Sequence, residues 1–228
     1  MGTINVGVIG YGYWGPNIVR NFFSAANCTV KTVADGRPER LAVLAKIFPT
    51  INGVAKAEDI INDTAIDAVV IATPVFTHFA LAKKALENGK HVLIEKPMTS
   101  TVAEAEELIE LAEKKGLTLM ADHTFLYTGA VQKMKELIED KTIGEPQYFD
   151  SSRINLGLFQ PDVNVLWDLA PHDISILTYL ITETPMSINA TGISHTHNNI
   201  ENIIKSTRRT YLSPCCASIG RFPDTGTS

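Results

Sequence analysis

Residues Ile4–Gly15 have the sequence INVGVIGYGYWG, a short apolar run that leads directly into glycines spaced as G-x-G-x-x-G at Gly10, Gly12 and Gly15. In a strand–turn–helix unit, the first glycine permits a tight turn and the second lets the backbone approach a pyrophosphate. The third allows close packing of helix on strand, and the helix N-terminus faces the phosphates. The pattern predicts a strand over 4–10, a helix over 14–25 and a dinucleotide site between them; a purely structural glycine turn is the alternative.

Up to about residue 125, short β-branched apolar runs alternate with amphipathic stretches. A continuous apolar run such as AVVIA at 68–72 is typical of a strand that is buried on both faces of a parallel sheet. The pattern predicts an α/β fold with a doubly wound parallel sheet, the Rossmann architecture, over residues 1–125. Further strands are predicted over 29–35, near 54, and over 66–73, 91–95 and 117–121, with helices over 38–47, 58–62, 77–88 and 102–115.

Beyond residue 125 the pattern changes. A helix over 130–139, a strand over 147–156, a helix over 165–181 and a strand over 187–194 predict a partial α+β domain at 126–205. Residues 206–228 show no periodicity and are rich in Ser and Thr. They are predicted to form a disordered or aberrant tail.

Composition excludes several classes of protein. The 228 residues carry a formal net charge of −5 without a basic block, so neither nucleic acid nor a membrane surface is an expected partner. No run approaches the roughly 18 apolar residues of a membrane span, and the N-terminus does not resemble a signal peptide. Cys28, Cys215 and Cys216 form no recognisable framework, and His195 and His197 lack a third ligand. We expect a cytoplasmic protein without a metal.

Two features at strand ends concern the cofactor. Asp35 lies twenty residues after Gly15, where a carboxylate can accept hydrogen bonds from a ribose 2′-hydroxyl and repel a 2′-phosphate. This favours NAD, while Arg37 could receive a phosphate and leaves NADP as the alternative. Thr73-Pro74 ends the strand after the crossover, at the edge where open α/β sheets bind ligands. A simple strand-ending proline is the other interpretation.

Glu95-Lys96-Pro97 ends another buried strand at the same edge. Pro97 biases Lys96 toward an extended conformation, so its ammonium group could orient a substrate hydroxyl or assist proton transfer. A solvated lysine is the alternative. His78 is predicted to lie on a helix surface, where a structural role competes with a functional one.

Asp168 and His172 are four residues apart, and therefore on one face of the predicted helix, with Pro171 producing a kink or marking its first turn. Oxidation of an alcohol requires a base for the hydroxyl proton. Histidine titrates near neutral pH, and a neighbouring carboxylate can hold it in place. The alternative is that Asp168 caps the helix and His172 is a buried structural residue.

Taken in order, VGVIG at 6–10, ATP at 72–74, EKP at 95–97 and DLAPHD at 168–173 resemble the Gfo/Idh/MocA family of glucose–fructose oxidoreductase and inositol dehydrogenase. The resemblance covers residues 1 to about 195. It implies an NAD(P)-dependent oxidoreductase that transfers hydride between nicotinamide and a hydroxyl or keto carbon of a sugar, cyclitol or nucleotide sugar. It also implies a homo-oligomer. Residues 153–157 with 167–173 resemble members that act on nucleotide-linked sugars.

The resemblance implies roles for individual residues, with His172 as general base or acid. The catalytic positions are Lys96, Asp168 and His172. The positions for substrate contact are Lys96, Tyr127, Arg153, Asn155, Asp168 and His172. For Arg153, a solvated sheet residue is the alternative. The positions for cofactor contact are Gly10, Gly12, Tyr13, Trp14, Gly15, Asp35, Thr73, Pro74, His78, Glu95 and Lys96.

Members of the family continue through a large antiparallel sheet that forms one wall of the substrate site and often the dimer interface. Here the resemblance fades after about residue 200, which predicts a truncated second domain with an unpaired edge. Two other functions therefore stay open. One is a catalytically inactive dinucleotide-binding remnant. The other is a different nucleotide-binding enzyme, such as a methyltransferase, that shares only the glycine loop.

Overall fold

The computed structural model describes residues 2–154, 164–195, 200–201, 203–209 and 214–220. The chain divides into two compact units, Met1–Asp122 and His123–Ser228. The division falls three residues before the predicted boundary at 125.

The first unit contains a six-stranded sheet in which every neighbouring pair is parallel. Its strands are β1 (Ile4–Ile9), β2 (Cys28–Ala34), β3 (Asn52–Val54), β4 (Ala68–Ile71), β5 (His91–Ile94) and β6 (Leu119–Ala121). The strand order is β3-β2-β1-β4-β5-β6. The order reverses between β1 and β4, which is the switch point where such sheets bind ligands at the carboxyl ends of their strands.

Five helices connect these strands: α1 (Gly15–Ser24), α2 (Pro38–Ile47), α3 (Glu58–Ile61), α4 (Val75–Glu87) and α5 (Val102–Lys115). Every strand and helix predicted for this part of the chain is present, with ends that differ by at most two residues. The predicted α/β fold is confirmed.

Local sequence sets the bounds of α5. The Thr101 side chain accepts a hydrogen bond from the Glu104 backbone N–H, and the Glu104 carboxylate accepts one from the Thr101 N–H, which together form a capping box. At the other end Gly116 takes a left-handed conformation with φ 64°. Glycine adopts this conformation without a steric penalty, so the helix stops there.

The core of the first unit lies on both faces of the sheet. Val8 and Val33 belong to the cluster on one face, and Ile71 and Ile94 to the other, all of them fully buried. At Gly7 in β1, a Cβ atom would lie 2.3 Å from the side chain of Ile60 in α3. The glycine therefore allows α3 to pack directly on the sheet.

Lys90, immediately before β5, is a buried cation, with only 6% of its surface exposed. Its Nζ donates hydrogen bonds to the carbonyl oxygens of Asp63 and Ile66, both at 2.6 Å. The ammonium group thus satisfies two carbonyls of the segment that connects α3 to β4.

The second unit contains a four-stranded sheet in the order β7-β10-β9-β8. Its strands are β7 (Asp150–Ile154), β8 (Ser187–Ile193), β9 (Ile203–Arg209) and β10 (Pro214–Gly220), and its helices are α6 (Gly129–Glu139) and α7 (Val165–Leu180). A 3₁₀ turn spans Thr124–Tyr127. β7 pairs with β10 in parallel, and the other pairs are antiparallel. Val165, Leu169, Ala170 and Ile204 form a small core.

The prediction of a disordered or aberrant tail is wrong for residues 206–209 and 214–220, which lie in β9 and β10. These strands are specified by antiparallel main-chain pairing from Pro214 with Arg209 to Gly220 with Ile203. Main-chain pairing leaves no periodic pattern in a polar sequence, so inspection for periodicity misses it. The remaining tail residues lie outside the described ranges. Within those ranges, no helix has the length and apolar character needed to cross a membrane.

Candidate active site

The turn after β1 requires glycine at its first position. Gly10 has φ 101°, and a Cβ atom there would lie 2.4 Å from the carbonyl oxygen of Ala72. A Cβ atom on Gly15 would likewise lie 2.4 Å from the carbonyl oxygen of Gly10. The chain therefore folds back tightly, and the first turn of α1 lies against it.

Gly12 has a different environment. The nearest atom to a Cβ there would be Nη2 of Arg37, at 3.5 Å. Within the described ranges, a Cβ atom at Gly12 would meet only the end of this flexible side chain, at van der Waals distance. α1 begins nearby with Trp14 as its N-cap, and no described side chain caps its N–H groups. An uncrowded turn beside uncapped N–H groups at the positive end of a helix fits the pyrophosphate of a dinucleotide. Tyr13, 85% exposed, borders this turn and contacts Trp14 edge to face.

Asp35, directly after β2, is buried and lies in a network of N–H donors. Its carboxylate accepts hydrogen bonds from the Tyr11 and Arg37 backbone N–H groups at 2.8 and 3.0 Å. Nε and Nη2 of Arg37 also donate to it, both at 2.9 Å. Burial raises the pKa of Asp35, but the hydrogen bonds from Arg37 and Tyr11 outweigh burial and leave this pKa below its usual value. Asp35 is therefore a charged carboxylate paired with a half-exposed guanidinium.

His78 is buried and not on a helix surface, so that prediction is wrong. Its Nδ1 lies 3.0 Å from the carbonyl oxygen of Pro97, and its Nε2 lies 2.8 Å from that of Thr73. Burial lowers the pKa of His78, and the carbonyl contacts oppose this only in part. The ring thus connects the segments that follow β4 and β5. The helix periodicity predicted α4 itself but not this burial, because α4 begins at Val75 with His78 in its first turn.

Glu95 directly follows β5, and its carboxylate accepts a hydrogen bond from the Lys96 backbone N–H at 3.2 Å. Burial and the neighbouring Asp122 raise the pKa of Glu95 to about 7. A side-chain hydrogen bond joins these two carboxyl groups. No sequence motif points to Asp122, although it is the first residue after β6 and therefore lies at the same edge of the sheet as Glu95.

In the second unit, Asp168 and His172 lie on successive turns of α7, as their spacing predicts. Asp168 is buried, with 6% of its surface exposed. The helix is capped by Asn164, whose side chain accepts a hydrogen bond from the Trp167 N–H at 3.0 Å. The alternative in which Asp168 is the cap is therefore wrong, and Pro171 lies inside α7 instead of in its first turn.

Arg153 on β7 contacts Asp173 and Phe125, neither of which was predicted to be a site residue. Its Nε donates to the Asp173 carboxylate at 2.7 Å, and its Cζ lies over the Phe125 ring, 4.9 Å from the centroid. The Phe125 ring in turn meets the His172 ring with centroids 4.7 Å apart and an interplanar angle of 67°. Tyr127, on the same 3₁₀ turn as Phe125, is 67% exposed. Asn155 lies outside the described residues.

The described ranges of the chain contain no group of three or more His, Cys, Asp or Glu side chains that could hold a metal ion. The side chain of His197 falls outside those ranges.

Residues 4–123 match a family described as an oxidoreductase family with an NAD-binding Rossmann fold, GFO_IDH_MocA. The chain belongs to the Gfo/Idh/MocA family. This assignment contradicts the alternative in which the chain is a methyltransferase that shares only the glycine loop. UDP-N-acetylglucosamine 3-dehydrogenase from Acidithiobacillus ferrooxidans is a relative that is 33% identical over 199 residues. A second relative is 29% identical over 166 residues. It is scyllo-inositol 2-dehydrogenase (NADP(+)) IolW from Bacillus subtilis.

A solved structure from Klebsiella pneumoniae superposes on the whole chain with a TM-score of 0.85 and 27% sequence identity. The two aligned relatives match 84% and 72% of this chain, and the chain spans 58% and 45% of their own lengths. It spans 65% of the Klebsiella pneumoniae chain. The aligned part of the chain therefore spans about half the length of the curated relatives that it matches.

Proposed function

We propose that this chain is an NAD-dependent dehydrogenase or reductase that transfers hydride between nicotinamide and a hydroxyl or keto carbon of a sugar, cyclitol or nucleotide sugar. The observation that carries the proposal is the turn at Gly12, where among the described residues a Cβ atom would contact only Nη2 of Arg37, beside the uncapped N-terminus of α1. This cradle suits a pyrophosphate, and it occurs in a member of an oxidoreductase family. The named relatives act on a nucleotide sugar and a cyclitol, which supports that substrate class.

The cofactor is held, in this proposal, along the carboxyl edge of the sheet. The N–H groups at the start of α1 bind the pyrophosphate, and the Asp35 carboxylate accepts hydrogen bonds from the adenosine ribose. A charged Asp35 favours NAD over NADP because it repels a 2′-phosphate. Arg37, paired with Asp35, leaves NADP as a weaker second cofactor. Further contacts are proposed for Tyr13, Trp14, Thr73, Pro74, His78, Glu95 and Lys96, with His78 acting through Thr73 and Pro97.

A bound nicotinamide supplies the acceptor or donor of hydride. Proton transfer is carried out by the chain itself. His172 accepts the proton from the substrate hydroxyl during oxidation and donates it during reduction. Asp168, one turn earlier on α7, favours the imidazolium that forms. The Lys96 ammonium group donates to the substrate oxygen and stabilises the negative charge that develops on it. Tyr127, Arg153 and Asn155 are the proposed additional substrate contacts.

The absorbance of NADH tests this function, either as NADH forms from NAD⁺ with a panel of sugars, cyclitols and nucleotide sugars or as it is consumed with their keto forms. We expect turnover with at least one of them. In Lys96→Ala and His172→Ala we expect kcat/KM to fall by about 10²–10⁴-fold, because each removes a group that acts on the transferred proton or the oxygen. Affinity for NADH should change little in His172→Ala. If NADH binds but no substrate alters its absorbance, the chain is a dinucleotide-binding protein without catalysis.

A further inference from the structure

The Phe125 ring contacts both a proposed catalytic residue and a fixed cation. It meets the His172 ring edge to face, with centroids 4.7 Å apart. It also receives the Arg153 guanidinium, whose Cζ lies 4.9 Å from the centroid. All three residues belong to the second unit, and they come from three different elements: the 3₁₀ turn, α7 and β7.

We propose that Phe125 is a positioning residue that holds the His172 imidazole in its working orientation, and that Asp173 and Arg153 hold Phe125 in turn. This inference rests on the role of His172 in the proposed function. Through Phe125, the 3₁₀ turn Thr124–Tyr127 would then help to position a catalytic residue, a role that its place after β6 does not by itself indicate.

The anchoring of Arg153 is what makes Phe125 a rigid neighbour. Nε and Nη2 of Arg153 donate to the two oxygens of Asp173 at 2.7 and 3.3 Å, so the guanidinium plane is fixed in two places. Asp173 is buried and also accepts a hydrogen bond from Ser151 Oγ at 2.7 Å. A fixed cation over an aromatic face restrains the ring, because the quadrupole of the ring attracts it.

The effect of Phe125 on the reaction must pass through the position of His172. Phenylalanine carries no proton to exchange and no hydrogen-bonding group to bind a sugar. Its ring restricts rotation of the imidazole, which has two rotatable side-chain bonds, through an edge-to-face contact of preferred geometry. Misplacement of a proton-transferring group slows the chemical step more than it weakens substrate binding. A change at Phe125 should therefore appear in kcat.

Phe125→Leu and Phe125→Tyr test the inference together, since leucine keeps the apolar bulk and tyrosine keeps the ring. We expect Phe125→Leu to lower kcat by about 10-fold with KM changed less than about 3-fold, and Phe125→Tyr to restore kcat. Asp173→Asn should lower kcat in the same direction, but add little to Phe125→Leu, because both act through one network. Phe23→Leu, on α1, disrupts an aromatic pair with Phe48. It is the matched control and should leave kcat unchanged.

The proton NMR signal of the His172 ring supplies a readout that does not depend on activity. It is assigned by its absence from the spectrum of His172→Gln. Because loss of the Phe125 ring current shifts this signal by itself, the readout is the set of nuclear Overhauser contacts between the His172 ring and its neighbours on α7, which should change in Phe125→Leu but not in Phe23→Leu. Unchanged contacts in Phe125→Leu overturn the inference, as does a Tyr variant as slow as the Leu variant. If His172→Gln retains full turnover, the proposed role of His172 fails and the inference fails with it, whereas loss of turnover in His172→Gln with full turnover in Phe125→Leu overturns the inference alone.

Discussion

Asp35 and Arg37 present opposite charges at the end of β2, where the adenosine ribose is proposed to bind. Arg37→Ala removes the cation that could meet a 2′-phosphate and frees the Asp35 carboxylate for hydroxyl groups. We expect NADPH affinity to fall by about 10-fold, since a charge-assisted hydrogen bond contributes about 1.5–3 kcal/mol, while NADH affinity holds or rises. Fluorescence titration with both reduced cofactors measures this. Arg20→Ala, an exposed charge on α1, is the control, and equal loss of both affinities would contradict the assignment.

The raised pKa of Glu95 predicts how the stability of the folded protein depends on pH. Its pKa is raised from 4.5 to about 7 in the folded protein, so the folded state holds this proton more tightly than the unfolded chain. The resulting stabilisation is complete below about pH 4.5 and is lost as pH rises through about 7. Between pH 5 and 8, the free energy of unfolding should fall by roughly 2 kcal/mol more for the parent chain than for Glu95→Gln.

Urea denaturation at the two pH values measures that difference. Glu113→Gln, at an exposed position on α5, serves as the control and should follow the parent chain. A parallel pH dependence in the Glu95→Gln and parent chains would show that the Glu95–Asp122 pair does not share a proton in this range.

The elements of the first unit could be predicted from the sequence because their ends carry local chemical signals. The bounds of α2 and α5 agree with the prediction at both ends, since Pro38 suits the first position of a helix and Gly116 the position after its last. β9 and β10 carry no such signal. Their strand conformation depends on partners far away in the chain, and pairing of this kind cannot be inferred from local propensity.

The capping box of α5 allows a test at the scale of one helix. Thr101→Ala removes the oxygen that accepts from the Glu104 N–H, so we expect the free energy of unfolding to fall by about 1 kcal/mol. Chemical denaturation monitored by circular dichroism measures this loss. Thr64→Ala, at an exposed position before β4, should cost less than half as much. Equal effects of the two substitutions would mean that the cap contributes nothing.

Over the whole molecule, sequence located the proposed cofactor and proton-transfer positions but not their neighbours. Gly12, Lys96 and His172 stand in motifs with fixed spacing. Asp122 and Phe125 reach their partners through the fold, and no spacing rule joins residues so far apart in the chain. The same reason explains why the ion pair of Arg153 was not foreseen, although Arg153 itself was singled out.

Ligand binding should stabilise the folded protein by mass action. NADH at one hundred times its Kd should raise the free energy of unfolding by about 2.7 kcal/mol. In Gly12→Ala the added methyl group makes an ordinary van der Waals contact with Nη2 of Arg37, at 3.5 Å. The unliganded chain should therefore keep its stability, but this stabilisation by NADH should largely disappear. Thermal denaturation with and without NADH checks both statements. Full stabilisation of the variant would place the pyrophosphate elsewhere.

The buried ammonium group of Lys90 makes this lysine a chemical reporter. An amine-reactive ester modifies only uncharged, accessible amines, and Lys90 is enclosed by the Asp63 and Ile66 carbonyls. Exposed lysines such as Lys141 should be acylated within the first minutes, whereas Lys90 should react only when the segment before β4 opens. Peptide mass spectrometry over time would then give the opening rate of that segment under native conditions, without denaturant and without any enzymatic assay.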